Sequence, residues 1–370
     1  MERLAIKTRS NWQDQVEAVG LTHHTLHTGK ICWNESNCYR FTVQEIEELA
    51  RATNEIEAMC MTLVDHVVQR QRYSELNIPE CAWHSIESSW QRGDQKIFGR
   101  LDLSYDGVQP PKLLEYNADT PKILVESSIA QRQWQQQVRP GYGQFNDIQE
   151  SLVHAWSRFE PGIIHLTCDL IAEDFVDVAF MSDTMIAAGL SPKMVSIGKI
   201  LWDGQDFRDT ENVAITRLFK LYPWEWLFED VYREYAHQRT MQIIEPTWKM
   251  ILNNKSFMVL LWELFPGHPN LLPSFFDRKK FSDEYVKKPF VSRQGQNISL
   301  YIANGNSETG GVYGDGAYMY QQLHPLPNFD GNYPVIGSWL IEGKSAGIGI
   351  REDTSPVTTN TSPFVPHFID

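Results

Sequence analysis

The sequence predicts a mixed protein of the α+β and α/β classes, and three stretches carry that prediction. A T-x-x-E capping box at Thr42 and Glu45 opens a run of apolar residues at helical period. From Arg100 to Tyr105 the apolar side chains switch to strict alternation, the period of a strand. Between Gly162 and Tyr222 short apolar runs alternate with a helical pattern, the rhythm of an α/β layer.

The elements follow in order. Val43, Ile46, Leu49, Ile56, Met59, Cys60, Leu63 and Val67 mark one face of the first long helix. A strand over residues 100–105 ends at the loop signals Asp106-Gly107 and Pro110-Pro111. Residues 113–117 read as a second strand, and 122–138 as a helix closed by Pro140-Gly141. In the middle, strands are expected over 163–167, 193–197 and 212–215, with a helix over 175–188. A mostly helical segment, 224–265, comes next. The end is β-rich, with strands over 285–290, 319–322, 335–341 and 346–350. Glu342-Gly343-Lys344 reads as the turn between the last two.

Composition narrows the function. The chain has 370 residues, 42% of them hydrophobic, enough to bury a sizeable core. We expect one composite unit with approximate lobes at 1–150, 151–222 and 223–370. Its formal net charge of −14 suits an ordinary acidic protein and also suits attraction for a cationic substrate. A general nucleic-acid binder would carry a basic patch, and none is evident. The five cysteines are scattered, with no CxxC pair, which points to neither a zinc site nor a redox motif. The polar start carries no signal-peptide pattern, and no stretch nears the roughly 18 apolar residues of a membrane helix. A cytoplasmic location, without membrane or obligate protein partner, is expected.

Strand alternation assembles a candidate site. Arg100 and Asp102 share one face of their strand, and Glu115 and Asn117 share a face of the next. If the two strands pair, one surface shows all four side chains. Two carboxylates and an amide oxygen are hard ligands suited to Mg²⁺, and an arginine beside them suits a phosphate oxygen. The same spacing also fits a solvated sheet face with an ordinary ion pair. Far along the chain, Lys288 precedes Ser292-Arg293-Gln294-Gly295-Gln296-Asn297. A strand lysine and a glycine loop can hold phosphates through charge and backbone N–H groups, although a plain strand and turn reads the same way. Lys255, in Asn253-Asn254-Lys255, is unremarkable alone, whereas Arg351-Glu352-Asp353 closes a candidate hairpin strand and could face the same site, or simply be a polar strand end.

Several motifs change those weights together. They are Leu113-Leu114-Glu115-Tyr116-Asn117-Ala118-Asp119-Thr120-Pro121, Asn253-Asn254-Lys255, Leu264-Phe265-Pro266-Gly267-His268-Pro269 and Val286-Lys287-Lys288-Pro289. Gly337-Ser338-Trp339, Ile348-Gly349-Ile350-Arg351-Glu352-Asp353 and Thr361-Ser362-Pro363-Phe364-Val365-Pro366-His367 complete the set. In this order they resemble the glutathionylspermidine synthase family, from about Trp33 to Ile369. The likeness is strongest to its stand-alone acid–amine ligase members. The resemblance implies an ATP-grasp fold with a preceding preATP-grasp-like α/β lobe, and makes 223–370 the ATP-binding lobe. It implies Mg²⁺ at Asp102, Glu115 and Asn117, with Arg100 on the reacting phosphate. It implies ATP contacts from Lys255, Lys288, Ser292, Gly295 and Arg351, with Gln321, Gln322 and Leu323 on the strand beside the adenine. Arg100 and Arg351 are the catalytic candidates.

The activity so implied is ATP-dependent joining of a small acid to an amine through an acyl phosphate. A non-catalytic nucleotide- or polyamine-binding protein on the same fold is the rival reading. The resemblance and the acidic balance point to a polyamine or another small cationic amine, with Glu173, Asp174 and Asp177 as candidate acids. Those three also suit the first turn of a helix, where the dipole favours carboxylates. Two departures stand out. No separate amidase domain with a nucleophilic cysteine is expected in this chain. Small hydroxyl residues that recognise glutathione in the bifunctional synthetases give way here to Thr120-Pro121-Lys122, which favours another peptide or amino-acid-like acid.

Overall fold

The capping box at Thr42 starts a helix of 28 residues, Val43–Arg70. Thr42 Oγ1 accepts a hydrogen bond from the Glu45 amide, and Glu45 Oε2 accepts one from the Thr42 amide at 2.7 Å. The computed structural model describes residues 1–169, 171–229, 241–303, 305–359 and 361–370. Along the helix Leu49, Ile56, Cys60, Leu63, Val64 and Val67 are fully buried. Burying each large aliphatic side chain stabilises the fold by about 1.5–3 kcal/mol before entropy is counted. What they cover is the central sheet, reached also by Thr53 Oγ1 at 2.7 Å from Ser338 Oγ and by Tyr116, which donates to Glu57.

That sheet has five antiparallel strands in the order Phe364–Val365, Lys344–Asp353, Tyr333–Ile341, Phe98–Ser104 and Lys112–Asn117. It brings two regions more than 200 residues apart in sequence into one layer. Leu101 and Leu103 face the core. Arg100 lies opposite Asn117, and Asp102 lies opposite Glu115. Gly337 lies opposite Asp102, and a Cβ there would meet Arg100 Cδ at 2.7 Å. The glycine therefore lets the Arg100 side chain lie across the sheet. The expected turn at Glu342-Gly343 is present, with both residues at positive φ, as a tight hairpin twist requires.

A second sheet is parallel, in the order Gln242–Ile244, Arg217–Leu221, Ile163–Cys168 and Ser191–Met194. The helix Ala172–Ala187 forms a crossover between two of its strands. Here three expectations need correction. Residues 212–215 are not a strand: Asp209 gathers the amides of Glu211 and Val213 into a turn, and the strand comes later, at Arg217–Leu221. The strand expected at 193–197 is Ser191–Met194, and Ile197–Lys199 forms a 3₁₀ turn. The segment 224–265 holds the helices Trp224–Glu229, Met250–Asn253 and Phe257–Leu264, but the strand Gln242–Ile244 interrupts it. Residues 230–240 lie outside the described residues. The helix expected over 122–138 is present with a π-turn, Glu126–Ala130, before Gln131–Val138.

A third sheet, antiparallel, orders Ser274–Phe275, Tyr318–Gln322, Tyr285–Pro289, Ser299–Tyr301 and Ser307–Glu308. Two buried ion pairs tie the central sheet to its neighbours. Lys220 Nζ donates to Asp119 Oδ1 at 2.6 Å, both side chains fully buried. Lys249 pairs with Glu245 and donates to the carbonyls of Phe98 and Ala118. Among the described residues, no helix is long and apolar enough to cross a membrane.

Candidate functional site

The central and third sheets face a cavity of about 910 Å³ that is also lined by the start of the helix Ala172–Ala187 and by the segment around His23 to Cys32. Strand alternation delivers Arg100 and Asp102 to it from one strand and Glu115 and Asn117 from the next. Arg351 joins them from two strands further along the same sheet. Lys288 enters from Tyr285–Pro289, and Lys255 from the loop before the helix Phe257–Leu264.

These groups bind one another tightly. Arg100 Nε donates to Asp102 Oδ1 at 2.7 Å. The Arg351 guanidinium and the Asn117 amide approach Asp102 Oδ2 at 3.4 and 3.3 Å. Lys255 Nζ donates to Glu115 Oε1 at 2.7 Å and to the Ser292 carbonyl at 2.8 Å. Lys288 Nζ donates to the Leu114 carbonyl and to Gln321 Oε1. Burial opposes charge on Asp102, yet the flanking Arg100 and Arg351 hold its carboxyl below the usual value. Burial lowers the Lys288 ammonium to about 8, against the pull of Glu115. Burial and the like charge of Arg100 also lower Arg351. Four cations thus face two carboxylates, an arrangement with surplus positive charge that suits a polyanion.

The donor set fits Mg²⁺. Asp102 and Glu115 supply carboxylates, and Asn117 supplies an amide oxygen on the same face. Mg²⁺ is commonly held by one or two carboxylates with water and phosphate completing the shell. Among the described residues, no group of three His, Cys, Asp and Glu side chains could hold a metal, so a third protein donor beside Asp102 and Glu115 would have to be of another type, such as the Asn117 amide. Each carboxylate is balanced by a protein cation that a divalent ion would replace.

The structure distributes the other expected residues unevenly. Ser292, Gly295 and Leu323 line the cavity. Gly295 has φ +70°, and a Cβ there would meet the Thr358 carbonyl oxygen at 2.4 Å. Gln321 is buried behind the wall, where it holds Lys288 and approaches Ser274, and Gln322 is exposed. Glu173 and Asp174 line the far wall. Asp177 turns to the backbone instead, accepting from the amides of Leu124 and Val125.

Sequence reasoning missed part of this wall. His23 and Glu126 both line it, 3.0 Å apart. Burial works against the His23 proton, but Glu126, with Asp177 and Glu173 nearby, raises it to about 9. Arg293 stacks 5.4 Å from the Trp226 ring and donates to Thr120 Oγ1. No periodicity or spacing marks these positions. They meet only through long-range packing.

Of residues 292–297, all but Asn297 line the cavity, beside Lys255 and Lys288. Slower amide exchange over this stretch is expected when a nucleotide analogue binds, because phosphates covered by the loop would hold it closed and engage its backbone N–H groups. Equal protection with and without the analogue would remove the covering role from this loop.

A cleft of cations and oxygen donors thus lies between two antiparallel sheets, with a parallel α/β layer beside it. The family model described as glutathionylspermidine synthase preATP-grasp matches residues 3–370, and the chain belongs to this family. A Haemophilus influenzae protein provisionally named an acid–amine ligase is 34% identical, over 98% of this chain and 97% of its own length. The bifunctional glutathionylspermidine synthetase/amidase of Escherichia coli is 29% identical over 89% of this chain, which spans 58% of that protein. The trypanothione synthetase of Crithidia fasciculata is 27% identical over 80% of the chain and 50% of its own length. Among solved structures, a glutathione synthetase-like effector from Globodera pallida shares the fold, with a TM-score of 0.58 at 11% identity and 99% coverage.

Proposed function

We propose that this protein is an ATP-dependent carboxylate–amine ligase that works through an acyl phosphate. The observation that carries this reading is the convergence of Arg100, Asp102, Glu115, Asn117, Lys255, Lys288 and Arg351 on one cavity. A substrate carboxylate oxygen attacks the γ-phosphorus of ATP, and the bond to the ADP oxygen breaks. A neutral amine then attacks the acyl carbon, phosphate leaves, and the amine nitrogen loses its proton.

The first step brings an anion to a polyanion, so its cost is electrostatic. Lys255 and Lys288 meet the ATP phosphates, and Arg100 and Arg351 meet the transferring phosphoryl group, where fixed positive charge lowers the barrier. Mg²⁺ at Asp102, Glu115 and Asn117 would supply further charge neutralisation when bound. The names of the relatives support the acid–amine chemistry. The acids of the far wall, Glu126 together with Glu173 and Asp174 beside Lys122, support a cationic group on this side of the cavity and so a cationic amine, since carboxylates concentrate cations and discriminate against neutral amines. The acid is a small peptide or amino-acid-like carboxylate, with glutathione disfavoured by Pro121 and Lys122.

The test is release of ADP and of a ligated product, read by mass spectrometry, from protein, Mg²⁺-ATP and a panel of acids and amines. A diamine or polyamine should stimulate acid-dependent release, and salt should weaken the effect by screening. Nucleotide binding with no release across the panel would leave a non-catalytic binding protein. Stimulation by an amino acid alone would remove the cationic amine. For the metal, Glu115→Gln should raise the Mg²⁺ concentration needed for half-maximal release while leaving the circular dichroism spectrum unchanged. An unaltered Mg²⁺ requirement would take Glu115 out of the metal shell.

A further inference from the structure

The segment Thr120-Pro121-Lys122 joins the phosphate side of the cavity to its acidic wall. Thr120 Oγ1 accepts from Arg293 at 3.0 Å, and the Lys122 carbonyl accepts from Arg100 at 2.6 Å. The next residue, Ile123, has φ +69°, a region that β-branched residues seldom adopt, so the surrounding contacts hold this backbone in place. Beyond that anchor the Lys122 side chain crosses to the first turn of the helix Ala172–Ala187. Its ammonium pairs with Asp174 and lies 3.7 Å from Glu173. All three side chains line the cavity.

A lysine side chain is four carbons ending in an ammonium, the same chemistry as an aminobutyl arm of a polyamine. We propose that Lys122 is a specificity-determining residue, a built-in aminoalkyl arm that fills the Glu173–Asp174 subsite. It rests on the cationic-amine reading above. With that subsite filled, a substrate ammonium arriving there finds both its volume and its counter-charge taken. Glu126 and Asp169 also line the cavity. Glu126 pairs with His23 through Oε1, and its Oε2 is buried with no hydrogen-bond partner. One charged arm can be held there while the other amine is delivered to the acyl carbon. The cleft therefore takes a diamine in preference to a longer triamine.

Calorimetric titration of 1,4-diaminobutane and spermidine into the full chain with Mg²⁺ and a non-hydrolysable ATP analogue tests this. The wild type should bind the diamine more tightly. Lys122→Ser should improve spermidine relative to the diamine by about tenfold or more, since it frees the buried Asp174 and its half-buried neighbour Glu173. Lys122→Arg should keep the wild-type ranking, and Asp174→Asn added to Lys122→Ser should abolish the gain. Thermal melting checks the fold, and Lys122→Gln replaces Lys122→Ser with the same expectation if the serine variant does not fold. A wild type that prefers spermidine, or a ranking that Lys122→Ser leaves unchanged, overturns the proposal. If the wild type ligates a neutral amine and ignores both cations, the cationic-amine reading fails. Lys122 is then judged by binding alone: spermidine binding gained by Lys122→Ser supports the filled subsite, and no gain overturns it.

Discussion

Replacing Lys288 by methionine should lower ATP-dependent turnover about 30- to 1,000-fold, the loss expected when one positioned cation worth roughly 2–4 kcal/mol leaves the transition state. Methionine keeps much of the stem and fills the same buried space. What disappears is an ammonium held between the Leu114 carbonyl and Gln321 Oε1, so the change is chiefly electrostatic. Lys255→Met should behave similarly, with an added effect. Lys255 is the counter-ion of Glu115, so with Mg²⁺ held at Glu115 as proposed its removal should strengthen metal binding. A second readout ties the loss to phosphate. Lys288 in the free protein titrates at about 8, and a nearby phosphate raises it. Below that value the lysine is already charged. Above it, nucleotide binding should draw a proton from the buffer, and calorimetry in buffers of different ionisation enthalpy measures that uptake. Lys288→Met should remove the uptake. Both lysine variants retaining wild-type nucleotide affinity and turnover would end the assignment of these residues to ATP.

Much of the central geometry was legible because strand alternation is a strict rule. Once residues 100–105 and 113–117 read as strands, the shared face of Arg100, Asp102, Glu115 and Asn117 followed, and the observed register puts Asp102 opposite Glu115. The capping box at Thr42 was equally legible, since its reciprocal hydrogen bonds are local. The errors arose where a side chain outbid the local pattern. Asp209 turned 212–215 into a loop by collecting backbone amides, although Val213, Ala214 and Ile215 read as a strand. Gln321 lies on the expected strand, but its buried face points it at Lys288 rather than into the cavity. The pairing of residues 98–104 with 333–341, and the arrival of His23 beside Glu126, depend on packing across more than 100 residues. No local period encodes either.

The ion pairs of the cavity also bear on how a metal and a nucleotide would bind together. Its carboxylates are neutralised by its own cations, Asp102 by Arg100 and Glu115 by Lys255. Mg²⁺ held by the carboxylates as proposed would release those cations toward phosphate, and phosphate on the cations would release the carboxylates toward metal. Each ligand would thereby remove the other's competitor, which is the condition for positive coupling between two binding events.

Lys220→Met should destabilise the fold by about 3–5 kcal/mol, the usual cost of removing one member of a buried ion pair. Asp119 belongs to the Asn117-Ala118-Asp119 motif, and its proximity to Asn117 invites a functional reading. The structure gives it other work. Its side chain is fully buried, accepting from Lys220 Nζ through Oδ1 at 2.6 Å and from the Trp224 amide through Oδ2 at 3.0 Å. Lys220 lies on Arg217–Leu221 of the parallel sheet, so this pair fastens the end of the strand Lys112–Asn117 to the neighbouring layer. Burial alone would push the Lys220 ammonium toward its neutral form, and the Asp119 charge offsets that; the Trp224 ring, 4.5 Å away, adds a cation–π contact. Methionine matches the stem of lysine, so no large cavity forms, and the cost is that of leaving Asp119 buried with a single amide partner. Asp119→Asn added to Lys220→Met removes the stranded charge and should recover most of the loss. Urea unfolding measures both variants: the single change should lower the midpoint clearly, and the double change should move it back toward wild type. A single variant within about 1 kcal/mol of wild type, the range of an exposed pair, would show that the pair contributes little and that Asp119 is placed by other contacts.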